Sequence, residues 1–321
     1  MYTYIRNVMF DKVIFNVRIS PDIPVPFIVK RNHLLECTEG EEVYYQSSSY
    51  GNLEGVFLKI RNGRIQIKCS LHKLYSKWNG GTLDNSGPFT MLQAQATIYE
   101  LFQRIGIETD EASITVTYFE IGLNIPVEHD VLDYISLVSS IGKENEKELF
   151  NDANFRKNRQ KTTEKSSTIK KVFKIYDKGF EYRNKGKPVK GNILRIETMF
   201  RRQSIPLHTF IGSSFIKRIT DRFYKDWSSI SFPKRIESTH GVRATQMEKA
   251  QFIMEFGRDK YMAHIKNMYA CGTYTKRQAE QARAFVREWD AIKHKFRYIS
   301  DNKEVEYLRK LHKLLTKVTV S

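Results

Sequence analysis

Three stretches of this chain alternate apolar and polar residues while carrying ionisable side chains in the middle of the polar face. That pattern constrains the fold more than any other feature. In ITVTYFEIGLNI (114–125), Phe119, Ile121 and Leu123 share one face, with Tyr118, Glu120, Gly122 and Asn124 on the other. In KVFKIYDK (171–178), Phe173 and Ile175 oppose Lys174, Tyr176 and Lys178. In NILRIETMF (192–200), Leu194, Ile196 and Phe200 oppose Arg195 and Glu197. An unpaired Lys or Glu buried in mid-strand is costly, so each polar face must meet water, an opposite charge or a ligand. If the three strands share one sheet, they gather Glu120, Glu197, Tyr176, Lys178 and Arg195. Carboxylate oxygens in such a group can hold Mg²⁺ or Mn²⁺, a tyrosine hydroxyl can attack phosphorus, and Lys or Arg can stabilise the added charge. The same spacing also fits the solvated side of an antiparallel sheet, with cross-strand ion pairs of small value. Alternation does not favour Tyr176 over Tyr118 or Tyr182, and it fits both readings.

The remaining elements follow from local signals. VIFNVRI (13–19), VFLKI (56–60) and RIQIKCS (64–70) read as strands, the last two joined by a hairpin turn at Asn62-Gly63. A helix is predicted from Met91 to Ile105, with Thr90 and Gln93 at capping-box spacing and Gly106 at the C-cap. Pro126 is expected to end the 114–125 strand, and the following segment to form a helix reaching Gly142. The stretch 143–169 is polar and lysine-rich, and reads as a loop or a DNA-facing insertion. Past residue 205 the pattern becomes helical. SSFIKRITDRFYKDW (213–227) is amphipathic, and three helical segments follow from about 245, with capping-box spacings at Thr245/Glu248 and Thr275/Gln278. The predicted fold class is α+β: an antiparallel-sheet region over 1–205, then a mainly helical region over 206–321 expected to bind DNA.

Charge narrows the partners. The 321 residues hold 53 Lys and Arg against 36 Asp and Glu, a formal net charge of +17. Such an excess favours nucleic acid through phosphate neutralisation. It is densest over 151–204, with 16 cationic residues and 5 acidic ones around Tyr176. Apolar runs such as Val25–Val29 are too short to span a bilayer, so no membrane partner is expected. The first residues lack a secretory h-region, and Cys37, Cys69 and Cys271 have no CxxC partner, which suits a reducing cytoplasm. Walker A, GxGxxG and GxSxG motifs are absent, so a nucleotide-driven motor or a serine hydrolase has no support. The eight histidines are isolated, and a histidine–hydrophobe–histidine metal motif is missing. His129, just after the Glu120 strand, reads as a surface histidine or as a ligand.

The three strands together resemble a known family. TVTYFEIGLN (115–124), KVFKIYDKGFEY (171–182) and ILRIETMFRR (193–202), preceded by IKCSLHKLYSKWNG (67–80), are similar in order and spacing to the filamentous-phage gene II/X replication initiators and related plasmid rolling-circle initiators. The resemblance covers about residues 60–205. It implies a fold like that of the HUH endonucleases and a nicking–joining reaction through a 5′-phosphotyrosine. Carried over, it makes Tyr176 the nucleophile, Lys178 its adjacent cation, and Glu120 and Glu197 carboxylates for Mg²⁺ or Mn²⁺. The family's Arg-x-Asp is Tyr118-Phe119-Glu120 here, and the histidine pair of the wider superfamily is missing, which leaves the metal shell incomplete. DNA contacts are expected from Lys171, Lys174, Lys185, Lys187, Lys190, Arg195, Arg201 and Arg202, with single-stranded DNA or the origin duplex as ligand. Host helicase and polymerase are the further partners this implies, in the cytoplasm of a bacterial host. Segment 275–289 is basic and helical; it can enter a DNA groove or pack with its basic face solvated. The departure at 118–120 gives weight to an alternative of another class, a non-catalytic DNA-binding protein on the same fold.

Overall fold

Short-range pairing builds most of the sheet. The computed structural model describes residues 9–20, 23–48, 53–85, 87, 89–109, 113–142, 147–164, 166, 168–232, 235–239, 241–299 and 301–315. Strand β1 (Met9–Arg18) is followed by β2 (Leu35–Glu39), β3 (Glu42–Gln46), β4 (Val56–Arg61), β5 (Arg64–Ser70) and the long β6 (Ile114–Val127). Short strands β7 (Ser140–Ile141), β8 (Lys147–Glu148), β9 (Phe150–Asn151) and β10 (Gln160–Thr162) precede β11 (Lys171–Asp177) and β12 (Asn192–Phe200). The main sheet has the order β2-β3-β4-β5-β1-β6-β12-β11-β10-β9, and its pairings are antiparallel. The predicted turn lies between β4 and β5, with both Asn62 (φ 51°) and Gly63 (φ 66°) in the left-handed region that a two-residue hairpin requires.

The chain therefore has the α+β architecture expected from its patterning, with β6, β12 and β11 adjacent at the centre. Their apolar face is covered by two fifteen-residue helices, Met91–Ile105 and Ser213–Trp227. Phe102 of the first meets Phe15 edge-on, and Phe215 and Trp227 of the second meet Phe119 and Phe173. Trp227 Nε1 donates to Thr198 Oγ1, which satisfies a buried hydroxyl on the apolar face. The Thr90/Gln93 capping box and the left-handed Gly106 form as expected. Among the described residues, no helix is long and apolar enough to cross a membrane.

Two irregularities in β1–β6 pairing set which side chains reach the polar face. Phe10 pairs with Ile121 and Val13 with Phe119, so Asp11 and Lys12 together oppose Glu120. This is a β-bulge, two residues facing one. Simple alternation from Val13, Phe15 and Val17 would place Asp11 among them in the core; the bulge turns it to the polar side. A second shift, between Ile14↔Tyr118 and Phe15↔Val116, moves the phase of β6 so that Phe119 rather than Tyr118 is buried.

Several expectations are corrected. Pro126 does not end β6; it pairs with Ile193 while its ring lies at an exposed position. The helix after it is shorter than expected, Val131–Leu137, and gives way to β7 before Gly142. Part of the 143–169 stretch adds β8, β9 and β10, while residues 143–146, 165 and 167 lie outside the described residues. Thr245 lies inside a helix, Ala244–Phe256, whose Gln246 reaches back to the Arg243 N–H. By contacts the chain divides into residues 1–231 with 307–321, and a second unit, Phe232–Glu306, rather than at 205. The helix Ser213–Trp227 belongs with the sheet because its aromatic side chains complete the sheet's core.

Phe119 is the hub of that core, touching the rings of Phe10, Phe200, Phe210 and Phe215. Phe119→Ala is expected to lower the stability of the fold by about 3–5 kcal/mol in equilibrium denaturant unfolding.

Candidate metal and tyrosine site

On the polar face, β1, β6 and β12 bring together Asp11, Glu120 and Glu197, whose ligating oxygens all lie within 4.8 Å of one another. Register explains the grouping. Glu197 pairs with Gly122 across β12–β6, so Glu120 is two residues along on the same face, and the bulge adds Asp11 from β1. Arg195 lies among them, fully buried at 0% exposure. Its Nη2 donates to Asp11 Oδ2 (2.8 Å), its Nε to Glu197 Oε1 (2.6 Å) and its Nη1 to Asn124 Oδ1 (3.0 Å). The guanidinium crosses β6 at Gly122, where a Cβ would stand 2.6 Å from Nη2 and 2.9 Å from Cζ. Only glycine leaves room for it. Asp11 also accepts from Ser70 Oγ and Asn85 Nδ2, and Ser70 is the N-cap of the helix Leu71–Trp78.

Three tyrosines surround this group. Tyr176 Oη donates to Glu197 Oε1 at 2.9 Å, Tyr118 Oη donates to Glu120, and Tyr182 Oη donates to Asn85. Tyr176 is 6% exposed and lines a cleft of about 350 Å³ together with Lys157, Lys174 and Lys185. The Lys174 ammonium lies 4.2 Å from the Tyr176 ring centroid and 3.5 Å from Glu197 Oε2. The structure thus separates tyrosines that alternation left equivalent: Tyr176 joins the acidic group to a lysine-bearing opening.

The two glutamates sit in different fields. Burial, with the nearby Glu197 charge added, pushes the Glu120 carboxyl up to about 7. Burial also raises Glu197, but Arg195, Lys174 and the hydrogen bonds from Arg195 and Tyr176 outweigh it and hold it at about 2. Burial raises the Tyr176 phenol well above its usual value, and the Glu197 charge adds to that. Burial and then Arg195 lower the Lys178 ammonium against the pull of Glu181, to which it is paired at 2.8 Å. His72 is stacked on Phe89 at 4.7 Å, and burial holds it neutral, down to about 4. Its Nδ1 is buried without a hydrogen-bond partner.

The expected site residues divide as follows. Glu120, Glu197, Tyr176 and Arg195 converge on the cluster. Arg195 was expected on a DNA-binding surface, but it is sealed inside as the counter-charge of two carboxylates. Lys178 starts the helix Lys178–Asn184 and lies over the Tyr176 and Tyr182 rings. Lys174 and Lys185 line the cleft, and Lys185 also pairs with Glu181. Lys171 is turned to the opposite face, bound to Asp226 of the helix Ser213–Trp227, because it shares parity with Phe173 and Ile175. Lys187 is held by Asp84, Arg201 donates to the Ser166 carbonyl, and Lys190 and Arg202 are exposed. His129 is exposed beyond the end of β6. Asp177 caps the helix that follows it and pairs with Arg159. Sequence reasoning missed Asp11, Asn85, His72 and Lys157. The order of acidic, tyrosine and cationic strands carried a signal for the site; the bulge hid Asp11.

Three carboxylates converging as hard oxygen donors suit Mg²⁺ or Mn²⁺. Asp11, Glu120 and Glu197 would hold such an ion beside Arg195.

Comparison with known proteins leaves the site to be read from its own side chains. No family model matches the chain, and no curated protein matches it. Among solved structures, a rolling circle replication initiator protein from Geobacillus stearothermophilus superposes with a TM-score of 0.42 at 9% identity, covering 75% of this chain and 90% of that one. Methanococcus jannaschii TBP superposes with a TM-score of 0.25 at 11% identity, covering 68% and 95%.

Two outcomes follow from the geometry. Gly122→Ala should displace the guanidinium and cost on the order of 2–4 kcal/mol by denaturant unfolding. Glu120, raised from 4.5 to about 7, binds a proton in the folded state that the unfolded chain releases. Its contribution is therefore complete below pH 4.5 and lost as pH rises through 7, a loss on the order of 3 kcal/mol in the metal-free protein. Unfolding midpoints at pH 5 and pH 8 should show this loss in wild type and not in Glu120→Gln. Added Mn²⁺, which needs the ionised carboxylate, should stabilise more at pH 8 than at pH 6.

Proposed function

We propose that this chain is a rolling-circle replication initiator: a metal-dependent endonuclease that nicks and rejoins one strand of phage or plasmid DNA, acting in the cytoplasm of a bacterial host. The observation that carries the reading is Tyr176. Its hydroxyl is bound to Glu197 at 2.9 Å inside the three-carboxylate group, and the same ring borders the lysine cleft. A single strand lying in that cleft would place phosphates among Lys157, Lys174 and Lys185, with the scissile one at Tyr176. The phenol Oη attacks phosphorus as the P–O3′ bond breaks, and its proton passes to the leaving O3′ by way of the Glu197 carboxylate, which already accepts its hydrogen bond and which Arg195 keeps ionised. The products are a 5′-phosphotyrosine on Tyr176 and a free 3′-OH, which can prime a host polymerase behind a host helicase. Lys174 and Lys178, both over the Tyr176 ring, offset the charge that develops on the phosphoryl oxygens. A divalent ion on the carboxylates would supply Lewis-acid polarisation of a non-bridging oxygen. Reversal of the attack by a 3′-OH rejoins the strand.

One observation favours a second reading. Arg195 already bridges Asp11 and Glu197, so much of the cluster's charge is balanced without a metal, as in a non-catalytic DNA-binding protein on the same fold.

The test is incubation with Mn²⁺ and 3′-labelled single-stranded oligonucleotides tiling the DNA beside the chain's own gene, followed by a denaturing gel. A covalent adduct is expected, reduced at least about 10³-fold in Tyr176→Phe and retained in Tyr118→Phe and Tyr182→Phe. Wild-type protein that binds these oligonucleotides but gives no adduct would establish the second reading instead.

A further inference from the structure

The second compact unit, Phe232–Glu306, is built around three helices and a two-stranded ribbon. Helices Ala244–Phe256, Arg258–Ala270 and Lys276–Arg287 pack around Ala250, Ile253, Tyr261, Ile265, Ala282 and Phe285. Strands Arg235–Ser238 and Phe296–Ile299 pair across the ends of the segment. Between the second and third helices the chain turns in a few residues. Cys271 ends one helix, Gly272 has φ 75°, the Tyr274 N–H bonds to the Met268 carbonyl at 2.9 Å, and Thr275 opens the next helix with a complete capping box. The Tyr274 ring meets His264 edge-on, which pins the turn to the preceding helix. Two packed helices joined by a short glycine-containing turn have the connectivity of a helix-turn-helix.

The third helix is sharply two-sided. Ala279, Ala282, Phe285 and Val286 are buried. At 100° per residue, the opposite side is centred on Arg277, Glu280, Gln281 and Ala284, with Lys276 and Arg287 along its edge. Lys276, Arg277, Glu280, Gln281 and Arg287 are exposed. Within the helix, four cations (Lys276, Arg277, Arg283, Arg287) stand against the single carboxylate Glu280. A lipid surface or the groove of a helix-binding protein would need large apolar side chains on that face, and it carries none beyond Ala284. Arg and Gln are the side chains that read guanine and adenine edges bidentately, and they lie one turn apart, at the N-terminal end that a recognition helix inserts.

We propose that the helix Lys276–Arg287 is a recognition helix that docks in the major groove of duplex DNA. Arg277 and Gln281 read base edges, and Lys276 and Arg287 contact phosphates. This goes beyond the nicking reaction and does not depend on it: single-stranded DNA occupies the Tyr176 cleft, whereas this unit supplies the sequence-specific grip on the duplex.

The experiment uses the full chain and a randomised duplex library at 150 mM salt, with retained sequences measured individually by fluorescence anisotropy. Wild type is expected to enrich a consensus. Arg277→Lys keeps the charge and the exposed position; it should lose about 10–100-fold in discrimination at one base pair while keeping the salt slope. Lys276→Ala with Arg287→Ala should weaken all duplexes alike and reduce the log–log salt slope by about 2. Failure of wild type to enrich any sequence overturns the proposal, as does an unchanged consensus and affinity in Arg277→Lys/Gln281→Ala. Adduct formation on single-stranded oligonucleotides is measured in parallel on every variant. It should be unchanged, so that failure of the nicking reading and failure of this one give different results.

Discussion

The polar face depends on one buried cation. Arg195 is completely enclosed, and its cost of leaving water is offset because Asp11, Glu197 and Asn124 take its donors at once. Much else follows from that pairing. Glu197 stays ionised inside the protein because the guanidinium is there, and an ionised Glu197 in turn disfavours ionisation of Glu120. Gly122 is required because any side chain at that point would occupy the guanidinium's place. Tyr176 then finds a fixed acceptor, which sets the direction of its hydroxyl. Arg195 therefore acts as the scaffold of the site, and the open cleft is left to Lys157, Lys174 and Lys185.

Periodicity and caps made much of the architecture legible in the sequence. Strands β4 and β5 alternate cleanly because one face is buried. The helices Met91–Ile105 and Ser213–Trp227 show their apolar stripes because each covers the sheet. The hairpin of β2 and β3 was not legible, since its residues are exposed or half-buried throughout and nothing forces alternation on them. The boundary near 231 was hidden for another reason. The helix that ends at Trp227 is joined to the sheet by contacts with Phe119, Phe173 and Thr198, which are distant in sequence and leave no local mark.

The site was legible in part for the same reasons. Tyr176, Arg195 and Glu197 lie on regularly paired strands and Glu120 lies past the register shift of β6, so period-two reasoning placed them on one side, and pairing register brought them together. Parity also shows why Lys171 fails as a cleft residue, since it falls on the side of Phe173. Lys157 comes from a four-residue helix in a stretch with no periodic signal. Asn85 comes from a segment between two helices, and its role exists only through Asp11 and Tyr182.

The bulge at Asp11 and Lys12 makes the acidic group depend on strand register as well as on residue identity. An uninterrupted ladder with β6 over the same residues would carry the carboxylate into the apolar layer beside Val13 and Phe15 and turn Phe10 out of it. Neither the composition nor the hydrophobic pattern of the strand would change. The third acid of the cluster is thus specified by the place where two residues are set against one. Two chains with the same residues in this strand could share a sheet and still have different chemistry, a distinction invisible to any comparison that scores residue identity alone.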